Sequence, residues 1–262
     1  MFRFYDVIIS PVIHATKPAR ILEVGALGGE NTKNICTTFS DAEVMVVDPV
    51  PSFDIGSLQS ELNNMKFYKD LSLNVIPEIG RFDVGIIDGD HNWYTVYNEL
   101  KLIESSHGAS ARDFPVLIFH DISWPYGRRD LYYNHTTIPD EFCHPHAKKG
   151  IAPGKRELVN DGGLNKQLNN ALLEGGEKNG VLTAIEDFIA ESDIDFIFKK
   201  IQVYFGFGIL ISKERLNSSQ SLQKELDNLF SAERMMEIIA VQEKMLIMHM
   251  IRLQNILQAG EN

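Results

Sequence analysis

The sequence predicts an α/β fold: a doubly wound, mostly parallel sheet of seven strands, with a lid inserted after strand five and a C-terminal helical tail. Between residues 20 and 122, short apolar runs alternate with polar stretches of helix length, which is typical of βαβ units. Two further apolar runs follow residue 180, and apolar residues then recur at spacings of three, four and seven. We therefore expect one domain over residues 1–217 and a helical tail over residues 218–262.

Five strands are expected before the insert and two after it. They are predicted at residues 20–25, 44–48, 66–70, 82–88, 115–121, 195–201 and 203–212. The last two should form an antiparallel pair that closes the sheet. The acids that end the other strands are Glu23, Asp48, Asp70, Asp88 and Asp121. Because open α/β sheets bind ligands beyond the carboxyl ends of their strands, these acids should lie around one crevice.

The composition is that of an acidic globular protein. Of the 262 residues, 44% are hydrophobic and 23% are charged, and the formal net charge is −11. This charge disfavours nucleic acid as a partner. No apolar run approaches the roughly 18 residues of a membrane span, and two cysteines, Cys36 and Cys143, are too few for a disulfide framework. We expect a cytoplasmic protein with neither a nucleic-acid nor a membrane partner.

A glycine-rich turn follows the first strand, where residues 23–29 read E-V-G-A-L-G-G. The turn lacks the G-x-G-x-x-G spacing of a pyrophosphate site, and Glu30 would repel a phosphate. An acid two residues before the first glycine suits a ligand with a cationic amino group, such as S-adenosylmethionine. The cofactor contacts predicted here are Glu23, Gly25, Ala26, Gly28 and Gly29. An ordinary βα turn is the alternative interpretation.

Two later loops add predicted cofactor contacts. Asp48 follows strand two at about the spacing with which nucleoside-binding folds present an acid to ribose hydroxyls. Asp70 and Leu71 follow strand three, where a carboxylate or backbone contact could hold the adenine amino group. Asp70 would equally suit a helix amino cap. Asp88, which ends strand four, is the last of the predicted cofactor contacts.

With this glycine turn, the acid after strand two and this order of strands, the chain resembles the class I S-adenosylmethionine-dependent methyltransferases, which have a Rossmann-like sheet. The resemblance covers residues 15–122 and 195–212. The sequence D-G-D-H at residues 88–91 is similar to the metal-dependent sugar O-methyltransferases of macrolide biosynthesis (macrocin and mycinamicin types) and to cephalosporin-hydroxylase-like proteins. The resemblance implies that Asp88, with acids after strand five, holds a magnesium ion and that His91 deprotonates the acceptor.

The residues themselves favour the same site. Asp88 and His91 share a strand-to-helix turn, and His120 and Asp121 end the neighbouring strand. Paired carboxylates suit Mg²⁺ or Mn²⁺, and the ordinary pKa of a histidine, near 6.5, suits a proton acceptor. Where the family usually carries two acids, this chain has His120 before Asp121. His120 could bind the metal, act as a second base, orient Asp121 or simply form a structural hydrogen bond.

Residues 123–180 form the predicted insert, whose prolines and glycines break any regular period. Its aromatic and basic start suits a small-molecule acceptor that carries a sugar or a phosphate, although a solvated basic loop would look the same. The predicted acceptor contacts are Asp90, Trp124, Tyr126, Arg128 and Arg129. The C-H-P-H sequence at 143–146 lacks a second cluster to complete a zinc site.

The tail contains a segment, residues 245–251, that is apolar nearly all round a helix. Such a helix must be buried, either on its own subunit or against another copy. We expect a homo-oligomer formed through the C-terminal helices.

Together these expectations describe an S-adenosylmethionine-dependent, divalent-metal-assisted O-methyltransferase. Its substrate would be a hydroxyl of a sugar, a glycosylated compound or another small natural product. Two alternatives stay open: an oxygenase component like the cephalosporin-hydroxylase relatives, and a non-catalytic nucleoside-binding partner subunit.

Overall fold

The computed structural model describes residues 1–108 and 110–260. Its strands are β1 (Arg20–Val24), β2 (Glu43–Val47), β3 (Met65–Tyr68), β4 (Val84–Ile87), β5 (Val116–His120), β6 (Leu131–Tyr132), β7 (His146–Lys148), β8 (Asn169–Ala171), β9 (Phe196–Ile201) and β10 (Phe207–Ser212). Its helices are α1 (Ser10–Thr16), α2 (Glu30–Thr38), α3 (Ile55–Glu61), α4 (Ser72–Ile79), α5 (Trp93–His107), α6 (Val181–Glu191), α7 (Lys213–Asn217), α8 (Gln220–Leu229) and α9 (Ala232–Gly260).

Seven strands form the central sheet in the order β3-β2-β1-β4-β5-β10-β9. Strands β1 to β5 are parallel, and β10 is antiparallel to both β5 and β9. The predicted doubly wound sheet with a closing antiparallel pair is therefore confirmed. The strand order reverses between β1 and β4, so the crevice for a ligand lies beyond the carboxyl ends of these two strands.

The last predicted strand begins later than expected, at Phe207 instead of residue 203. A tight turn takes the intervening positions, because Tyr204, Phe205 and Gly206 all have positive φ angles. Extended strand geometry is excluded by these angles. The turn brings the backbone of Tyr204 next to the end of β5, where it contacts a predicted site residue.

The sheet is buried on both faces, as the continuous apolar strands predict. Alternate strand residues such as Val44 and Val46 pack against the N-terminal segment, α2 and α8, whereas Met45 and Val47 face α4, α5 and α6. The sequence analysis did not predict the N-terminal layer. It consists of a short 3₁₀ turn (Phe2–Phe4), a π-helical turn (Tyr5–Ile9) and α1.

The insert contains secondary structure that the sequence analysis did not predict. Strands β6, β8 and β7 form a small antiparallel sheet in that order. Asp130 ties this sheet to the main domain, because its Oδ1 accepts hydrogen bonds from the backbone of Trp93 and of Gly180, which lie at the starts of α5 and α6. Its Oδ2 accepts one from the Tyr132 hydroxyl, and burial raises the pKa of Asp130 to about 6. A buried acid thus positions two helices and the insert together.

The predicted helical tail is present as α8 and α9, with a break between them. In α8, Leu222, Leu226 and Leu229 are buried in the core of the main domain. In α9, Ile238 is buried, but every described side chain beyond Met245 is exposed. Within the described residues, no helix combines the length and apolarity that a membrane span needs.

The Asp130 contacts lead to a stability prediction. Asp130→Ala leaves the backbone N–H groups of Trp93 and Gly180 without their acceptor, and each unpaired buried group costs about 1–3 kcal/mol. We expect the free energy of unfolding to fall by about 2–5 kcal/mol in urea titrations. Asp130→Asn keeps one carbonyl oxygen and should lose less than about half as much. Equal stability of all three proteins would contradict this role.

Candidate cofactor and metal site

The glycine turn after β1 lies directly against the end of β4. Gly25 has a φ of +87°, and a Cβ placed on it would lie 2.2 Å from the carbonyl oxygen of Asp88. Gly25 is one of the cofactor contacts predicted from the sequence. The structure shows that the backbone of Asp88 is what comes close, so Gly25 lets the two central strand ends converge.

Asp48 shapes the same turn from the end of β2. Its Oδ2 accepts hydrogen bonds from the backbone N–H groups of Ala26 and Leu27, both at 2.9 Å, and its Oδ1 accepts one from Val50. A carboxylate has about four acceptor positions, so roughly one stays free for a ligand hydroxyl. Asp48, which is predicted to contact ribose, therefore also fixes the conformation of the glycine turn.

Three apolar side chains are exposed on the loops after β1, β2 and β3. Leu27 is 75% exposed, Val50 is 79% exposed and Leu71 is 37% exposed. Leu27 and Val50 lie close together because their backbones bind the same carboxylate of Asp48. Apolar residues at the ligand-binding edge of such a sheet suit the flat face of a purine. Only Leu71 was predicted as a cofactor contact.

Glu23 is fully enclosed by protein. Its carboxylate accepts hydrogen bonds from Asn31 Nδ2 at 2.8 Å and from Thr32 Oγ1 at 2.6 Å, at the start of α2. Burial raises the pKa of Glu23 to about 7, although both hydrogen bonds oppose the shift. Glu23 thus holds Asn31, whose Oδ1 is buried and has no partner in the part of the chain that the structure describes. Asn31 is an unpredicted acceptor beside the turn.

The remaining turn residues and Asp70 lie at the same edge. The Glu30 carboxylate folds over Gly28, and Gly29, with a φ of +81°, starts α2 next to Phe53. Asp70 Oδ1 accepts hydrogen bonds from the backbone of Leu71 and the side chain of Asn74, in α4. These two bonds hold the pKa of Asp70 below its usual range. Asp70 therefore stabilises the segment before α4, but the N-cap residue is Leu71, so the alternative interpretation of Asp70 as the helix amino cap is wrong.

The ends of β4 and β5 bring four predicted residues into one cluster. His120 Nδ1 lies 2.9 Å from Asp121 Oδ2 and 3.2 Å from Asp88 Oδ1. His91 Nε2 lies 3.1 Å from Asp121 Oδ2 and 3.8 Å from Asp88 Oδ1. We call these four side chains the His–Asp cluster. Asp121 has a φ of +59°, a strained conformation for a residue with a side chain.

A backbone contact fixes the orientation of His120. Its Nε2 lies 2.9 Å from the carbonyl oxygen of Tyr204, which can only accept a hydrogen bond. In a neutral imidazole the proton is therefore on Nε2, and Nδ1 directs a lone pair at two carboxylates. Three acceptors facing one another need a proton or a metal ion between them. Asp88, His120 and Asp121 also offer ligand atoms that all lie within 4.8 Å of one another, so the residues fit a divalent cation.

His91 is held by the insert. Its ring stacks on Tyr126 at 5.3 Å between ring centroids, and its Nδ1 lies 3.4 Å from the Tyr133 hydroxyl. Its backbone carbonyl accepts a hydrogen bond from Leu131 in β6. The Tyr126 hydroxyl is itself bound by Asn165. The insert thus positions His91 and covers one side of the cluster.

The members of the His–Asp cluster shift one another's pKa values. Burial disfavours the charged form of every member, but the opposite charges outweigh it. The carboxylates raise the pKa of His120 to about 9 and that of His91 well above 6.5. The two histidines in turn hold the pKa values of Asp88 and Asp121 below their usual range. In the free protein the cluster therefore carries positive charge on its imidazoles at neutral pH.

The predicted acceptor contacts do not all lie at the His–Asp cluster. Tyr126 borders His91, and Trp124 packs beside it in the insert. Asp90 accepts a hydrogen bond from Thr95 at the start of α5. Arg128 pairs with Glu186 in α6.

Arg129 corrects the sequence prediction. Its side chain is fully buried, and its guanidinium donates to the backbone carbonyls of Ala171 and Arg156 inside the insert. A group committed in this way cannot contact an acceptor. Arg129 therefore holds the insert together.

The site also contains residues that the sequence analysis missed. Asn31, Tyr133 and Tyr204 contribute an unpaired acceptor, a hydroxyl at His91 and a carbonyl at His120. Leu27 and Val50 were also missed, although each is an apolar residue in the loop that directly follows a predicted strand.

No protein family model and no curated protein sequence matches the chain. Solved structures do resemble it. A candidate O-methyltransferase from Nostoc punctiforme superimposes with a TM-score of 0.50 at 13% identity, over 81% of this chain and 57% of that one. A candidate caffeoyl-CoA O-methyltransferase from Staphylococcus aureus gives a TM-score of 0.47 at 11% identity, over 79% and 82% of the two chains.

A Podospora anserina methyltransferase bound to S-adenosylhomocysteine gives a TM-score of 0.44 at 18% identity, over 78% of this chain and 76% of that one. At these sequence identities the similarity concerns the fold alone. Of these three structures, the one from Nostoc punctiforme has the highest TM-score and is the one used for the comparison of folds. With its seven-stranded sheet and closing antiparallel strand, the chain has the Rossmann-like methyltransferase fold.

Proposed function

We propose that the protein is an S-adenosylmethionine-dependent O-methyltransferase that uses a divalent cation and acts on a hydroxyl of a sugar, glycosylated or other small natural-product acceptor. One observation carries the proposal. The glycine turn and the His–Asp cluster adjoin at the switch point of the sheet, because Gly25 packs on the backbone of Asp88. A methyl donor in the turn and a hydroxyl at the cluster would then be neighbours.

The turn offers what this methyl donor needs. Leu27, Val50 and Leu71 provide an apolar surface for the adenine, and Asp48 retains an acceptor position for ribose. Asn31 Oδ1, held by Glu23, provides an acceptor for the cationic amino group. The Glu30 carboxylate over Gly28 disfavours an anionic pyrophosphate.

The His–Asp cluster handles the proton of the acceptor. Asp88, His120 and Asp121 would hold the cation, which when bound lowers the pKa of a nearby acceptor hydroxyl and replaces the positive charge of the imidazoles. His91 accepts the proton, and Asp121 at 3.1 Å stabilises the imidazolium that forms. Tyr126 and Tyr133 keep the His91 ring in place.

The surroundings of the site fit a small acceptor. Tyr133 is exposed beside His91, and aromatic faces of this kind bind sugar rings.

Cys36 and Cys143 are not joined in a disulfide, which agrees with a cytoplasmic location.

One alternative has a specific observation in its favour. Two histidines and two carboxylates also resemble the ligand sets of non-haem iron oxygenases, which the cephalosporin-hydroxylase-like interpretation would require. Methyl transfer under anaerobic conditions, with the methyl donor as the sole co-reactant, decides between the two. Turnover that requires oxygen would reject the methyltransferase.

The first test is cofactor binding. We expect calorimetry to show S-adenosylmethionine binding with a Kd of about 1 µM or tighter, about −8 kcal/mol. Gly25→Val should abolish binding, because its side chain would push the turn off Asp88. Gly154→Ala is the matched control, since Gly154 also has a positive φ but open space around it. Binding of NAD in place of S-adenosylmethionine would refute the cofactor assignment.

The second test is metal dependence. Chelation should suppress methyl transfer to a panel of sugar acceptors, and a divalent cation should restore it. Asp88→Asn should reduce turnover by about 100-fold or more, because it removes a charged ligand. It should change S-adenosylmethionine affinity by less than about threefold, since only the backbone of Asp88 meets the turn. Full activity in excess chelator would eliminate the cation from the mechanism.

A further inference from the structure

We propose that the His–Asp cluster selects a divalent transition-metal ion, such as Mn²⁺, Fe²⁺ or Co²⁺, over Mg²⁺. The inference rests on the proposed function, since it concerns the same site. Its starting observation is the donor set, which includes a nitrogen: His120 Nδ1 faces the carboxylates of Asp88 and Asp121, and these three ligand atoms lie within 4.8 Å of one another.

His120 cannot leave this space by turning its ring. Its side chain is 4% exposed, packs on Phe207 at 4.8 Å between ring centroids, and donates from Nε2 to the carbonyl of Tyr204. A ligating histidine is commonly oriented through its other nitrogen by such a carbonyl. Nδ1 therefore stays directed at the two carboxylates, and its lone pair becomes available to a cation that displaces the proton.

The turn that supplies this carbonyl is itself fixed. The carbonyl of Phe205 accepts a hydrogen bond from the Ser123 backbone at 2.7 Å, and a Cβ on Gly206 would lie 2.4 Å from Ser123 Oγ. The orientation of His120 is thus determined by backbone packing between two loops. The nitrogen ligand is built into the fold before a metal arrives.

His91 lies beside these three residues, Asp88, His120 and Asp121. The Nε2 atom is buried, and it makes no hydrogen bond of good geometry with any residue that the structure describes, although Asp121 Oδ2 is 3.1 Å away. His91 Nε2 is therefore placed next to the cation site, where it can take up a proton, while the three ligand atoms come from Asp88, His120 and Asp121.

This donor set decides between cations. Mg²⁺ prefers six oxygen ligands and keeps several waters, whereas imidazole nitrogen binds the transition-metal ions far better. The residue at the end of β5 is His120, where an acid would have made a site with oxygen ligands only. We therefore expect Mn²⁺ and Co²⁺ to bind at least about 100-fold more tightly than Mg²⁺.

The test uses the full-length protein after removal of bound metal. Calorimetry with Mn²⁺, Co²⁺ and Mg²⁺ separately measures the preference, and pulsed EPR of the Mn²⁺ complex detects ¹⁴N coupling from bound imidazole. His120→Asp should reduce the preference for Mn²⁺ over Mg²⁺ to below about 10-fold, because it replaces the nitrogen ligand with an oxygen ligand. His146→Ala, which alters a histidine beside Cys143 in the insert, is the control and should change nothing.

The outcomes are separable. Equal binding of Mg²⁺ and Mn²⁺, or a Mn²⁺ spectrum without ¹⁴N coupling, overturns the inference, and the spectrum needs no variant to fold. S-adenosylmethionine binding is measured independently, so its failure rejects the proposed function while a nitrogen-ligated metal would still stand.

A second proposal comes from a different part of the molecule: we infer that α9 pairs with α9 of a second copy of the chain. Its exposed apolar residues are each between 45% and 69% exposed. They are Met236, Ile239, Leu246, Ile247, Met248, Met250, Ile251, Leu253, Ile256 and Leu257.

Their spacing favours helix pairing. Met236, Ile239, Leu246, Met250, Leu253 and Leu257 follow the alternating three- and four-residue steps of a heptad seam, with Glu243 at the one remaining seam position. The six exposed apolar residues of this seam amount to roughly 700 Å² on one chain, comparable with the roughly 800 Å² that each partner buries in a stable complex. Identical faces can cover each other in a two-fold arrangement.

Analytical ultracentrifugation at about 10 µM tests the pairing. We expect a defined dimer for the full chain and a monomer for the double variant Leu246→Glu, Leu253→Glu, both with native circular dichroism. Asn255→Glu on the same helix is the control and should leave the dimer intact. A monomeric full chain, a dimer that survives the double variant, or binding to lipid vesicles without self-association would each overturn the proposal.

Discussion

Two carboxylates, the half-buried Asp88 and the buried Asp121, lie next to each other at the carboxyl ends of β4 and β5, and much of the site compensates their charge. An uncompensated pair would cost several kcal/mol. Asp88 and Asp121 are therefore met by His91 and His120, and His120 in turn needs the carbonyl of Tyr204. The positive φ of Asp121 is the backbone cost of aiming its side chain at both rings. The turn between β9 and β10 and the start of the insert take their positions from this requirement.

The second constraint is the contact between Gly25 and the backbone of Asp88. It joins the turn that we assign to the methyl donor to the residue that we assign to the cation, through rigid main chain. A displacement at either strand end is transmitted to the other. Asp48 reinforces this arrangement, because one carboxylate holds the backbone of two loops. The distance between donor and acceptor is thereby set by the sheet and less by mobile side chains.

The sequence predicted the sheet because buried parallel strands leave a strong local pattern, and it predicted the acids because each ends such a strand. It could not predict contacts made by backbone groups far away in the chain. The carbonyl of Tyr204 lies 84 residues from His120, and no residue type specifies a carbonyl. Arg129 was assigned to an acceptor because a basic residue in a loop is usually exposed, but two backbone carbonyls of the insert bury it. Asn31 was overlooked because its role depends on its hydrogen bond to Glu23, which the sequence does not reveal.

The N-terminal layer has a consequence for how the chain is made. α1 and α8 cover the same face of the sheet together, and the Ser221 hydroxyl donates to the carbonyl of Ala15 across 206 residues. While the ribosome is still translating, Ile209 and Ile211 can join the sheet, but the leucines of α8 that cover this face have not yet emerged. The nascent protein therefore exposes a hydrophobic surface until α8 has emerged from the ribosome, and such a surface is the kind that chaperones bind.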